Sequence, residues 1–192
     1  PLSIDATSQG GTNCAAHQLA IEVDGQNTNV AQLNFDSTAP GSTVKGLSIV
    51  NSTGLAMLIE ANSFTAQCNN IGVRADGSTI GANELTGIRV NGTNNILIGG
   101  ANPADGNIVS RSINSDGIWF SGTSNTVTIS SNNLSFNKNH GVSFTHLVNA
   151  TISNNTVTNN LYDGIAGDLV DNVVVNNNTV SNQVFSGISF LN

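Results

Sequence analysis

The chain is predicted to be all-β, a single polypeptide strand wound into a solenoid of about seven coils of parallel β-structure. Three observations predict it. A Gly-led apolar motif returns about every 23 residues. The apolar residues come in alternating bursts of three to five, which is strand periodicity in short pieces. The polar half is Asn, Ser, Thr and Gly rather than charge: 31 of 192 residues are Asn and only 9% are charged.

The repeat sets the frame. "GIRV" begins at Gly87, "GIWF" at Gly117, "GVSF" at Gly141, "GIAG" at Gly164 and "GISF" at Gly187. Upstream, "GLAMLI" at Gly54 and "QLNF" at Gln32 fit the same frame. The spacings are 22, 33, 30, 24, 23 and 23. The two long ones carry inserted loops, near residues 74–83 and 100–107, each with Asp-Gly and other turn residues.

Asn62, Asn95, Asn125, Asn149 and Asn172 each follow their Gly position by eight residues. Asn suits such a corner because it tolerates a left-handed backbone and can hydrogen-bond along a ladder of its own kind. A unit of three short strands cannot bury its own apolar face. Stacking units about 4.8 Å apart pairs every strand and makes one continuous core.

"STVKGLSIVN", "CNNIGVRADGSTIGAN", "TGIRVNGTNNILIGGANPADGNIVS" and the "DGI" units resemble the right-handed parallel β-helix repeat proteins of bacteria, which share the pectin-lyase-like fold. The resemblance spans essentially the whole chain and supplies the handedness. It implies a range of functions: polysaccharide lyases, glycoside hydrolases, epimerases, tailspikes and large surface proteins without a known reaction. The "IGG…P..GN" loop is closest to the last group.

Composition narrows the partners. Net charge is −7 with five Lys and Arg in total, too few to neutralise many phosphates, so nucleic acid is excluded as a partner. No apolar run is long enough to span a bilayer. The chain opens abruptly at "PLSIDA" and closes at "GISFLN" in mid-pattern, so residues 1–192 are expected to be one β-helix domain cut from a longer secreted or surface protein of bacterial origin. Cys14 and Cys68 are either two buried small residues or a disulfide suited to an oxidising compartment.

Aligned coils turn sequence positions into columns. Two residues after the Gly the column runs Ala56, Arg89, Trp119, Ser143, Ala166 and Ser189, all expected to point outward. Arg89 and Trp119 should be neighbours beside the inserted loops. They could form a glycan platform, the indole stacking on a sugar ring and the guanidinium binding a carboxylate. The plainer alternative packs Trp119 under a loop with Arg89 stacked on it. Before the Gly the column runs Thr53, Thr86, Asp116, His140, Asp163 and Ser186. His140 between two carboxylates could do acid–base work or hold a metal; the alternative is ordinary Asp-Gly turn chemistry.

The remaining signals are thinner. Arg89, Arg111 and His140, with Asp116 and Asp163, are the weak catalytic candidates for a lyase or epimerase acting on uronic-acid glycans. Asp76 and Asp105, one in each insertion, are either Ca²⁺ ligands or turn formers. No Cys/His zinc spacing exists, and no other cofactor is expected. His17 and His146 fall in expected loops. The Asn-x-Ser/Thr matches at Asn91, Asn133 and Asn177 arise by chance in so Asn-rich a chain. The expected function is an extracellular structural or adhesive module that contacts polysaccharide or another copy of itself; the alternative is the lyase or epimerase.

Overall fold

The computed structural model describes residues 1–26 and 29–191. It is a right-handed parallel β-helix of seven coils. Coil 1 holds β1 (Ser3–Asp5), β2 (Ile21–Asp24) and β3 (Leu33–Phe35); coil 2 holds β4 (Thr43–Lys45), β5 (Leu47–Val50) and β6 (Met57–Ile59). Coil 3 holds β7 (Thr65–Gln67), β8 (Asn70–Ile71) and β9 (Ile88–Asn91). Coil 4 holds β10 (Ile96–Gly99), β11 (Ile108–Ser110) and the start of β12 (Ile118–Ser130). Coil 5 runs through the end of β12, β13 (Asn133–Ser135) and the start of β14 (Val142–Ser153). Coil 6 takes the end of β14, β15 (Thr156–Thr158) and the start of β16 (Ile165–Asn176). The end of β16, β17 (Thr179–Ser181) and β18 (Ile188–Phe190) make coil 7.

The second strands of the coils, β2 to β17, stack as a seven-stranded parallel sheet. The other two faces fuse into one sheet, because β12, β14 and β16 are long enough to run through the corner between them. Like sits on like in the core: Met57, Ile88, Ile118, Val142 and Ile165 stack in register, as do Ile49, Ile71, Val109, Leu134 and Val157, all fully buried.

The register corrects the first part of the frame. Met57 pairs with Ile88, so Ala56 rather than Gly54 occupies the Gly87 position. The outward residue in coil 2 is therefore Leu58, which pairs with Arg89, and the residue one before that glycine position is Leu55 in place of Thr53. The repeated Gly has a reason other than turn geometry. Gly117 does not have a positive φ. A Cβ there would lie 2.8 Å from the Gly141 carbonyl oxygen, and one on Gly141 would lie 2.8 Å from that of Gly164. At Gly117 and Gly141 the residue is Gly because the next coil passes too close for a side chain.

The Asn-rich runs split into two jobs on adjacent residues. In "SSNNLSFN", Ser131 (φ 61°) turns the corner in the left-handed region, and Asn132 points inward behind it. Phe136 (φ 59°) and Asn137 repeat the arrangement at the next corner. The inward residues form ladders. The Asn69 Nδ2 donates to Asn107 Oδ1 (3.0 Å), Asn107 Nδ2 to Asn132 Oδ1 (2.9 Å), and Asn132 Nδ2 to Asn155 Oδ1 (3.0 Å). Each also donates to a backbone carbonyl one coil back, as Asn132 does to Ile98 (3.0 Å). The corner backbone, which no sheet partner serves, is satisfied this way.

At the remaining corner the register slips by one. Asn95, Asn149 and Asn172 are left-handed, but in coil 5 Thr126 (φ 58°), not Asn125, takes the turn. A β-branched residue is strained there. Thr126→Asn is therefore expected to raise unfolding stability by about 1 kcal/mol, read as a later denaturant midpoint. An unchanged or earlier midpoint would contradict it.

Cys14 and Cys68 form a disulfide across 54 residues, tying the single-turn 3-10 helix Cys14–Ala16 to the third coil. Loop 74–83 folds back beside it. Arg74 pairs with Glu22 (2.6 Å), and the Leu19 N–H donates to the Ala75 carbonyl (2.7 Å). His17 is held beneath this layer, with a buried Nδ1 that has no hydrogen-bond partner. Burial pushes its pKa below the usual 6.5, and the Asn70 side chain offsets only part of that. The unfolded chain therefore takes the proton first. This contribution is complete above pH 6.5 and is lost as pH falls through the lower folded value. Between about pH 7 and pH 5.5, thermal stability should fall more in the native protein than in His17→Asn. Parallel curves would refute that role.

Candidate functional site

The register places Leu58, Arg89, Trp119, Ser143, Ala166 and Ser189 in one outward row on the fused sheet. From Trp119 onward the row is small. The edge of the row is the corner column Asp116, His140, Asp163. Together they make a groove of about 450 Å³, walled on one side by those three residues, floored by Ser143, Ala166 and Ser189, and flanked on the other side by Thr145 and Asp168. Trp119 closes one end. The two sequence columns that carried chemistry thus meet in one site.

Trp119 is held rigidly. The Arg89 guanidinium lies 4.3 Å over the indole. Its Nε donates to Asn91 Oδ1 (3.0 Å), which also accepts from the Ser121 hydroxyl (2.6 Å), while Asn91 Nδ2 donates to Glu60 (2.9 Å). One indole face is covered by Arg89, as in the plainer alternative, but neither inserted loop contributes to the groove lining. The loops were expected beside this row. They lie instead toward the seven-stranded sheet and the disulfide, with Arg74 on Glu22 and the Asp105 carbonyl accepting from Cys68.

The wall is built coil on coil. Asp116 Oδ1 accepts both the backbone N–H (3.0 Å) and the ring Nδ1–H (2.8 Å) of His140. A carboxylate only accepts, so the proton sits on Nδ1 and Nε2 is turned toward Asp163 Oδ2, 3.7 Å away. Asp163 repeats the backbone bond, taking the Ser186 N–H at 2.6 Å. The Asp of the Asp116-Gly117 and Asp163-Gly164 pairs is thus a cap for the next coil rather than a turn former within its own. Chemically, the wall is an imidazole between two carboxylates, open to the groove.

Arg111 is not part of it. Arg111 follows β11 on the other sheet and stacks on Phe136, 4.2 Å from the ring centroid. Arg89, Arg111 and His140 do not share a site. Asp76 and Asp105 also stay apart. The Thr79 hydroxyl and the Thr79 and Ser78 N–H groups bond Asp76 and hold its carboxyl down at about 2. Asp105 lies 3.8 Å from Lys45. The Asp76 carboxylate shapes its turn, and that of Asp105 accepts from the Asn102 side chain.

Some site residues were missed by reading columns alone. Tyr162 packs on the His140 ring (5.6 Å) and stacks on Phe185 (5.0 Å), both exposed beside the wall. They stand one position before Asp163 and Ser186, so the column adjoining the polar one was the signal. Asp168 and Thr145 lie past the strand's turn outward and had none.

Cys14 and Cys68 are bonded to each other, and Met57 is fully buried in the core. His17, His140 and His146 lie on separate parts of the coil, His146 bonding Thr123 (3.2 Å). Among the described residues no three His, Cys, Asp or Glu side chains could hold one ion. Among the same residues no helix is long and apolar enough to cross a membrane.

No curated protein and no solved structure matches the chain. A family model does, over residues 19–192, and it is described as periplasmic copper-binding protein (NosD). The match spans nearly all of the solenoid, from the start of β2 through β18, and the chain belongs to the NosD family of parallel β-helix proteins.

Proposed function

We propose that this chain is an extracytoplasmic β-helix module that holds a glycan chain along the Trp119 groove, an adhesive or scaffolding role rather than a catalytic one. The observation that carries it is the meeting of a braced aromatic platform and a polar wall in one open groove on a rigid row of strands. Sugar sites combine an aromatic face with a few fixed polar groups in this way. The disulfide and the family's periplasmic name support the compartment.

Copper binding, from which the family takes its printed name, does not fit the residues of this chain. Its thiols are oxidised, its methionine is buried, and among the described residues no three His, Cys, Asp or Glu side chains could hold one ion. The groove is therefore assigned to an organic ligand.

The test is a glycan array with the native protein and Trp119→Ala. Saturable binding to a defined set of glycans, weakened at least tenfold in the variant, is expected from the loss of about 1.5–3 kcal/mol of aromatic contact. Glycan binding unaltered in Trp119→Ala would refute the platform.

A further inference from the structure

The charges around the groove say which glycan it takes. Three carboxylates line it, Asp116, Asp163 and Asp168, and no Lys or Arg does. Arg89 is turned onto the indole and is outside the lining. The chain as a whole carries −7. We propose that the groove selects glycans bearing free ammonium groups, a hexosamine polymer rather than the uronic-acid glycans of the alternative sequence reading. This rests on the glycan reading above and names its substrate class.

The three carboxylates are not equally committed. Asp116 and Asp163 each give Oδ1 to a backbone N–H of the next coil. Asp163 Oδ2 is 3.7 Å from His140 Nε2, too far for a hydrogen bond, and retains its acceptor capacity. Asp168 is exposed, and its side chain makes no hydrogen bond or ion pair among the described residues. A free carboxylate on one side of a groove and a partly engaged one on the other leave two places for an ammonium group. The Tyr162–Phe185 stack beside the wall adds aromatic faces that attract a cation. A uronate in the same groove would bring like charge against all three.

The experiment follows Trp119 fluorescence, since it is the only Trp. The native protein is titrated at low salt with hexaglucosamine, its N-acetylated counterpart and hexagalacturonate. Hexaglucosamine should bind about tenfold tighter than the acetylated chain, with the advantage shrinking as salt rises, and hexagalacturonate should give no saturable change. Asp168→Asn should cut the preference at least threefold, and Asp24→Asn, the same charge change on the seven-stranded sheet, should leave it. Equal or tighter binding of the acetylated chain, saturable binding of the uronate, or equal effects of the two variants overturns the assignment. If none of the three sugars binds, both it and the glycan reading fall.

Discussion

Asn132→Ala is expected to lower unfolding stability by about 4 kcal/mol, the largest effect of any single side-chain truncation outside the apolar core. Asn132 is buried and does five things at once. Its Oδ1 accepts the Asn107 backbone N–H (3.0 Å) and Nδ2 (2.9 Å). Its Nδ2 donates to the carbonyls of Ile98 and Ser130 and to Asn155 Oδ1, each at 3.0 Å. Truncation leaves the Asn107 N–H groups and the Ile98 carbonyl without a partner in a dry interior, at about 1–3 kcal/mol each, partly recovered by relaxation. Asn133, the next residue, is exposed and points outward from β13. Asn133→Ala should cost under about 0.5 kcal/mol. Denaturant midpoints of the two variants decide the matter. Equal losses would mean that the inward ladder does not hold the corners.

Opening the Cys14–Cys68 disulfide has an effect of similar size with a different distribution. Closing a loop of 54 residues corresponds to about 4 kcal/mol of denatured-state entropy. A solenoid is stabilised coil by coil, so the loss should not spread evenly. In Cys14→Ser with Cys68→Ser, the first coil should open first. It loses its covalent tie to coil 3 and is held by its strand pairs with coil 2, the Arg74–Glu22 pair and the loop hydrogen bonds beside it. Hydrogen exchange reads this directly. Amides of β2 should lose protection by orders of magnitude while those of β14 keep theirs. Uniform loss along the rod would show that the coils unfold together.

The fold was legible because a solenoid writes itself into the sequence. A stacked coil needs the same residue type at the same place, so Ile118, Val142 and Ile165 announce each other. The register was less legible at Gly54, since that glycine is required for its own reason. A Cβ there would lie 2.4 Å from the Val30 carbonyl oxygen. Two glycines with different causes look alike in a string of letters. Asn125 and Thr126 show the same limit, because a one-residue slip in a corner leaves the composition unchanged.

The site was half legible. Columns predict neighbours along the rod axis, so Arg89 with Trp119, and His140 with Asp116 and Asp163, were within reach of sequence. Which columns share a groove is set by the cross-section of the coil, and the sequence does not encode that in any repeated spacing. Arg111 was grouped with Arg89 for want of that information, and Asp168 went unnoticed for the same reason. The stretch "SDGIWF" at residues 115–120 shows both sides. Asp116 caps the next coil, Gly117 admits it, Ile118 and Phe120 fill the core, and Trp119 joins Asp116 in lining the groove.

The central claim is that this groove, and not another face, meets the ligand. Mapping amide shifts in the NMR spectrum on addition of an array-selected oligosaccharide tests it most directly. The account predicts changes confined to residues 116–120, 140–145 and 163–168, together with the Trp119 indole N–H. Changes centred on Arg111 and Phe136, or on the seven-stranded sheet, would contradict it.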